Sequence, residues 1–444
     1  MAGTMQDRTR PHRTTTSSVV VLLSLLALAL ALRTGAVLVR WERLSADPDA
    51  YRLIAENVAQ RGAYSRSAAD LPAAPTAFRP PVYPLLLATA ARHKVVTPAT
   101  VAVIHIATGT LTVLLVWILG QHWGLGWRSG LAAFLVAADP ILLNQTAEVM
   151  TETLATLLGT LGLLAFTQWS ARRTSGAGAL AGAASGLAAL CRPTFLIWAG
   201  LCGVYYVVTE RNWKSVRQSA VFALALAITL LPWGERNLRL LGRPIVTTTH
   251  GGYTLLLANN PFFYWHLAHG AGGGVWDARE LEPLLQTQPD GAAAPPAHAE
   301  SEIDSDRRLY ALAHQTIRQQ PAMFLYSCLV RVGALWSPLA HQIDPHESRA
   351  TTAMRWAAAL WYGLVFVLAA VEAYRLRGHL LRTPWAWGAL CIAVFTLVHA
   401  VYWSNIRMRA PLMPIVALLA ADGIRRDTAS RRQPVSRSSN EARE

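Results

Sequence analysis

Lysine is almost missing from this chain: of its 40 basic residues, only Lys94 and Lys214 are not arginine. Charge of either sign is scarce. Asp, Glu, Lys and Arg make up 15% of the 444 residues, against about 25% in a soluble domain, and the mean hydropathy is +0.28. This excludes an ordinary soluble fold. Cysteine is also sparse. Cys191, Cys202, Cys328 and Cys391 lie within apolar runs, without metal-ligand spacing or a disulfide framework, and read as small hydrophobes. A phosphate-cradling nucleotide loop is lacking, because Gly251-Gly252 is not followed by the Lys-Ser/Thr such a loop needs. The net charge of +14 does not signal nucleic acid, since no stretch interleaves basic and aromatic residues as a strand-binding groove does.

What the chain does have is long apolar runs. Segments such as 18–32, 101–119 and 353–374 approach the roughly 20 residues that cross a bilayer. The expected fold class is an all-α polytopic membrane protein of about ten spans: 17–39, 98–120, 129–146, 151–169, 176–191, 194–208, 218–234, 353–374, 383–402 and 410–424. Basic residues sit in the short joints: Arg172 and Arg173; Arg211, Lys214 and Arg217; Arg375, Arg377 and Arg382. The positive-inside rule puts these joints in the cytoplasm. With them go the N-terminal tail 1–16, which carries Arg8, Arg10 and Arg13, and the Arg-rich tail 425–444. The first run resumes after Arg33 without a clear cleavage site, so it reads as a retained span in a cell-membrane protein rather than a signal peptide. Residues 40–97 and 235–351 then lie outside. The Gly/Ala/Pro-rich part at 270–300 reads as irregular, and 322–338 as a helix lying on or dipping into the outer face.

The first outer loop is more than a joint. Tyr51, Ile54, Ala55 and Val58 form one apolar stripe at helical spacing. Gly62 stands at the C-terminal end, and Ser45 and Asp49 where caps belong. Asp47 lies just upstream, and a second short apolar helix is expected over 82–92. Glu148 and Glu152, four apart, are expected to share a helix face and to pair with arginines. His250, His266 and His269 read as ordinary polar loop residues; a divalent metal is left open and none is predicted.

Asp47 with Tyr51 and Ala55 behind it, then "TAFRPPVYPLLLA" (76–88), resembles the first outer loop of GT-C-type glycosyltransferases. The likeness is to bacterial members related to protein O-mannosyltransferases and lipid A aminoarabinose transferases. "MTETLATLL" (150–158), "LAALCRPTFLI" (187–197), "LLPWGERNLRLLGRPIVTTTHGGYTLLLANNP" (230–261) and "IRMRAPLMPIVALLAADG" (406–423) are similar to further stretches of that family. The resemblance implies a GT-C-like bundle that transfers a sugar from a polyprenyl phosphate to a hydroxyl of a glycan, lipid or protein at the outer face. It implies an Asp general base: by position relative to Tyr51, Asp47 matches the family Asp, and Asp49 is the alternative, since the Asp-Pro-Asp doublet leaves the register open. It implies substrate contacts from Arg79, Tyr83, Glu152, Arg192, Arg236, Asn237, Arg407 and Arg409. Arginine suits a lipid phosphate because it stays charged and binds in a fork. The competing reading is a transporter or flippase of a lipid-linked substrate, which would show internal repeats and broken helices at the midplane.

Overall fold

The computed structural model describes residues 16–270, 276–286, 300–342 and 347–424. Among these the structure is helical, with no β-structure beyond the bridges Ser65–Pro75 and Arg92–Val95. The basic tails and most of the 270–300 stretch lie outside the described residues. Its described part, 276–286, is a short helical turn rather than irregular chain.

The first span is α1 (Thr16–Val39). Two short helices, α2 (Tyr51–Arg61) and α3 (Val82–Thr89), fill the loop that follows. The bundle continues with α4 (Pro98–His122), α5 (Arg128–Ala137), α6 (Pro140–Thr146), α7 (Glu152–Arg172), α8 (Ser175–Ala189), α9 (Thr194–Glu210) and α10 (Trp213–Leu241). A second group of short helices follows: α11 (Gly251–Ala258), α12 (Pro261–His269), α13 (Glu282–Gln286), α14 (Glu302–Gln319) and α15 (Pro321–Trp336). The chain returns through α16 (Arg349–Arg375), α17 (Trp385–Val401) and α18 (Met413–Asp422). Five of these, α1, α4, α7, α10 and α16, are long and apolar enough to cross a membrane unaided. The others are shorter, and the protein is a multi-pass membrane protein.

Three expected elements differ in detail. The span expected over 129–146 is broken, because Pro140 has no N–H to continue α5 and Asp139 caps α6 through the Leu142 N–H. The last span begins as a 3-10 turn, Ile406–Leu412, and becomes α-helical only at Met413. Helix α2 starts after Ala50, whose φ of 59° is left-handed, and neither Ser45 nor Asp49 caps it. Asp47 does, accepting the Leu53 N–H at 3.0 Å. Gly62 closes α2 with φ 67° as expected. The stripe of α2 faces protein rather than lipid, with Tyr51, Ile54 and Ala55 buried. Helix α15 lies against α17, where Trp336 donates to Thr396 and the buried Arg331 donates to the carbonyl of Ala400.

Small residues let α8 and α10 approach closely. Gly178, Gly182 and Gly186 repeat every fourth residue, so they share a face. A Cβ on Gly182 would stand 2.2 Å from the Phe222 carbonyl oxygen and 3.1 Å from the Leu226 nitrogen. Backbone cannot yield as a side chain does. Gly182→Val should therefore cost on the order of 3 kcal/mol, read as a fall in thermal stability in detergent, with Gly176→Val, which meets nothing within 4 Å, as the neutral control.

The contacts among the joints sort them to two ends. At one end Arg128 pairs with Asp422, Arg173 with Glu210, and Arg375 with the Gly423 carbonyl. The short helices α2, α3 and α11–α14 gather at the other end, with Glu152 at the start of α7 and Arg192 between α8 and α9.

Candidate active site

A cavity of about 480 Å³ opens at the end that holds the short helices. It is within the size range of small-molecule sites. Its charged lining is Asp49 and Arg79 from the first loop, Glu152, Arg192 and Arg407. Around them stand His250, Tyr253, Tyr310, His399, Tyr402 and Trp403.

Asp49 lines this cavity and Asp47 does not. The left-handed Ala50 turns the chain, and Asp49 meets Arg79 at 2.6 Å. Arg79 also donates its Nε–H to the Asp49 carbonyl at 3.1 Å and lies over the Tyr51 and Phe78 rings. The carboxylate is thereby held in one orientation at the cavity wall. Asp47 does not line the cavity; its Oδ2 accepts from the Leu53 N–H and its Oδ1 is buried without a hydrogen-bond partner among the described residues.

The opposite charged group is looser. Glu152, 2% exposed, stands 3.8 Å from Arg192 and 3.6 Å from Arg407. These separations pair charges but exceed a hydrogen bond. Arg192 Nη1 and Arg407 Nε are buried donors without a hydrogen-bond acceptor among the described residues. A buried unsatisfied guanidinium N–H is costly; Arg409 Nε and Nη2 are also unsatisfied, but only Arg192 and Arg407 pair such donors with a place in the cavity lining. Burial works against the Arg407 charge, but Glu152, then Asp49, outweigh it and hold its pKa above the ordinary value. Glu148 does not share the α7 face with Glu152: it lies in the turn before the helix, where it pairs with Arg43 at 3.0 Å.

Four expected site residues lie elsewhere. Tyr83 is fully buried and its hydroxyl is 2.8 Å from the His105 Nε2. Arg236 donates to the carbonyls of Thr76 and Tyr64 and to Asn237 Oδ1, while Asn237 donates to the Ile245 carbonyl. They fasten the first loop to the end of α10. Arg409 lies over the Tyr362 ring and donates to the Leu335 and Ser337 carbonyls. None of these four lines the cavity.

The long-loop helix α14 contributes Tyr310 to the cavity and is fastened by two carboxylates one turn apart. Glu302 accepts from the Ala77 N–H at 2.8 Å and from Thr249 and Thr76, and Asp306 accepts from the Gly252 N–H at 2.7 Å. Burial pushes the Asp306 pKa up. Glu302→Ala should release this anchor at a cost of about 1–3 kcal/mol, seen as faster proteolysis within 300–320 at unchanged cleavage elsewhere. His250 is kept uncharged by burial, then by Arg79 and Arg66. Burial raises the Tyr310 hydroxyl pKa, with Tyr402 adding to it, so it remains a donor. Sequence reasoning missed Tyr253, Tyr310, His399, Tyr402 and Trp403, because nothing local marks them; they come from three helices and a turn. Among the described residues no group of three or more His, Cys, Asp or Glu is placed to hold a metal ion.

No family model matches this chain, and no curated protein matches it. Solved structures do. The archaeal oligosaccharyltransferase AglB from Archaeoglobus fulgidus, in complex with an inhibitory peptide and a dolichol-phosphate, aligns at TM-score 0.53 and 16% identity, over 92% of this chain and 50% of that one. The apo form of the Archaeoglobus fulgidus enzyme aligns at TM-score 0.51 and 15% identity, over 90% and 50%. ArnT from Cupriavidus metallidurans bound to undecaprenyl phosphate aligns at TM-score 0.44 and 17% identity, over 93% and 78%. This chain thus spans half the length of the oligosaccharyltransferase it matches. Its polytopic helical architecture is the GT-C-type membrane fold.

Proposed function

We propose that this chain transfers a sugar from a polyprenyl-phosphate carrier to a hydroxyl of a glycan, lipid or protein, at the outer face of the membrane. The observation that carries the reading is the meeting in one cavity of a fixed carboxylate, Asp49, with Arg192 and Arg407, whose buried donors lack acceptors. The AglB structure of similar fold holds a dolichol-phosphate, which supports a lipid-phosphate donor for this one.

In this reading the acceptor oxygen attacks the anomeric carbon while Asp49 takes its proton. The bond from that carbon to the phosphate oxygen breaks, its electron pair stays on the phosphate, and polyprenyl phosphate leaves. Attack from the face opposite the leaving group inverts the anomeric centre. Arg192 and Arg407 meet the growing phosphate charge, which is where fixed cations lower a barrier. Glu152 keeps the two guanidiniums together, and Arg79 orients Asp49. Cations at the phosphate are thus supplied by side chains, and the reading uses no metal.

The outer-face assignment is supported by charge. The end away from the cavity carries Arg172, Arg173, Arg211, Lys214, Arg217, Arg375, Arg377 and Arg382 in its joints, as a cytoplasmic side does. A cysteine introduced at the exposed Gln60 should react with a membrane-impermeant maleimide added outside intact cells; protection there, with reaction only after permeabilisation, would reverse the topology. The activity itself is tested in proteoliposomes supplied with polyprenyl-phosphate sugars and acceptor-bearing envelope membranes. Transfer of the sugar is expected. Movement of the lipid-linked sugar across the bilayer without transfer would favour the transporter.

A further inference from the structure

The cavity sets a limit on the charge of what it accepts. Its lining holds three guanidiniums, Arg79, Arg192 and Arg407, against two carboxylates, Asp49 and Glu152. Arg79 and Asp49 neutralise one another at 2.6 Å. The Glu152 carboxylate lies between Arg192 and Arg407. Among these carboxylates and guanidiniums one positive charge is left over, and it sits where the two unsatisfied guanidinium donors are. Behind the wall, Arg66 is stacked on Phe78, and Glu148 is paired with Arg43.

A sugar joined to a lipid through one phosphate is a phosphodiester with a single negative charge. It closes the balance to zero. No further carboxylate or guanidinium remains in the lining for a second ionic group, and the rest of the wall includes the aromatic set Tyr253, Tyr310, Tyr402 and Trp403. These offer ring faces and hydroxyls, which suit the C–H faces and hydroxyls of a sugar. An ammonium or a carboxylate on the sugar would enter a partly dehydrated site with no counter-ion, and an uncompensated buried charge is strongly disfavoured.

We infer that the donor is a neutral hexose or pentose on a single phosphate, and that amino sugars, uronic acids and pyrophosphate-linked sugars are rejected on charge. This rests on the transferase reading. It narrows that reading to a substrate class.

The test measures donor affinity in detergent, from ligand-induced thermal stabilisation, and release of polyprenyl phosphate in acceptor-bearing membranes. The panel is polyprenyl phosphate carrying a neutral hexose, a neutral pentose, an amino sugar or a uronic acid, plus the neutral hexose on a pyrophosphate. The neutral monophosphates should exceed each charged donor by about tenfold or more in kcat/KM. Glu152→Gln raises the surplus to two positive charges, so its uronic-to-neutral ratio should rise about tenfold, whatever its absolute rate. Tyr253→Glu removes the surplus and should shift the ratio toward the amino sugar, which keeps the test available if Glu152→Gln does not fold. Equal use of charged and neutral donors by the unaltered protein, or ratios that do not move in either variant, overturns the inference and leaves the transferase reading standing. Binding and release with none of the five donors overturns the transferase reading itself.

Discussion

Asp49→Asn should lower sugar transfer about a thousandfold, the scale of a lost general base, while the affinity for the polyprenyl-phosphate donor changes little. The amide keeps the volume and can still accept from Arg79, so the cavity survives; what is lost is the ability to take a proton from the acceptor hydroxyl. Asp47→Asn is the matched comparison. Asp47 caps α2 through Leu53, and an asparagine caps nearly as well, so this variant should retain most of its turnover. The two readouts are initial rate with a saturating donor and donor affinity by thermal stabilisation. Wild-type rates in Asp49→Asn would remove this residue from the chemistry, and a rate collapse in Asp47→Asn alone would move the base two positions upstream. Arg79→Gln should act in the same direction as Asp49→Asn but less severely, because it frees the carboxylate to rotate without removing it.

The second large effect is expected at the cationic pair. Arg192→Gln and Arg407→Gln should each reduce kcat/KM by about a hundredfold or more, the scale of removing one donor to a developing oxyanion. Donor affinity should fall with it, since the ground-state phosphate is already an anion. Each change also leaves the buried Glu152 closer to a single partner, so part of the loss will be structural. Two other arginines separate these contributions. Arg236 and Arg409 bind backbone carbonyls away from the cavity. Arg236→Gln and Arg409→Gln should therefore lower thermal stability while the donor affinity of the folded fraction stays put. A pattern in which all four variants lose donor affinity equally would mean that the cavity is not where the phosphate binds.

These contrasts show why some of the site could be read along the chain and some could not. The apolar runs named the helices, because a bilayer demands unbroken helical hydrogen bonding and so writes itself into composition over some twenty residues. The joint arginines marked the two ends for a similar reason. The loop 40–97 was legible as structured from the stripe Tyr51, Ile54 and Ala55, which the fold buries. The Asp-Pro-Asp doublet was not resolvable. Which carboxylate caps α2 and which meets Arg79 depends on one backbone torsion at Ala50, and a left-handed alanine has no marker in the residue string.

The arginines divide on the same physical ground. Arg192 and Arg236 each sit beside apolar helix-forming sequence, and each looked able to hold a phosphate. Arg236 finds two carbonyls and an amide oxygen within 3.0 Å, whereas Arg192 keeps a buried N–H without an acceptor. Partner satisfaction is a property of neighbours far apart in sequence, Thr76 and Tyr64 in one case and Glu152 in the other. What the residues by themselves determined was a many-span helical protein, its arginine-marked end, and a short roster of acids and guanidiniums fit for phosphate chemistry. Only the packed structure decided which of them face one cavity, because charge pairing and burial are set by three-dimensional contact, and contact is what a linear string does not carry.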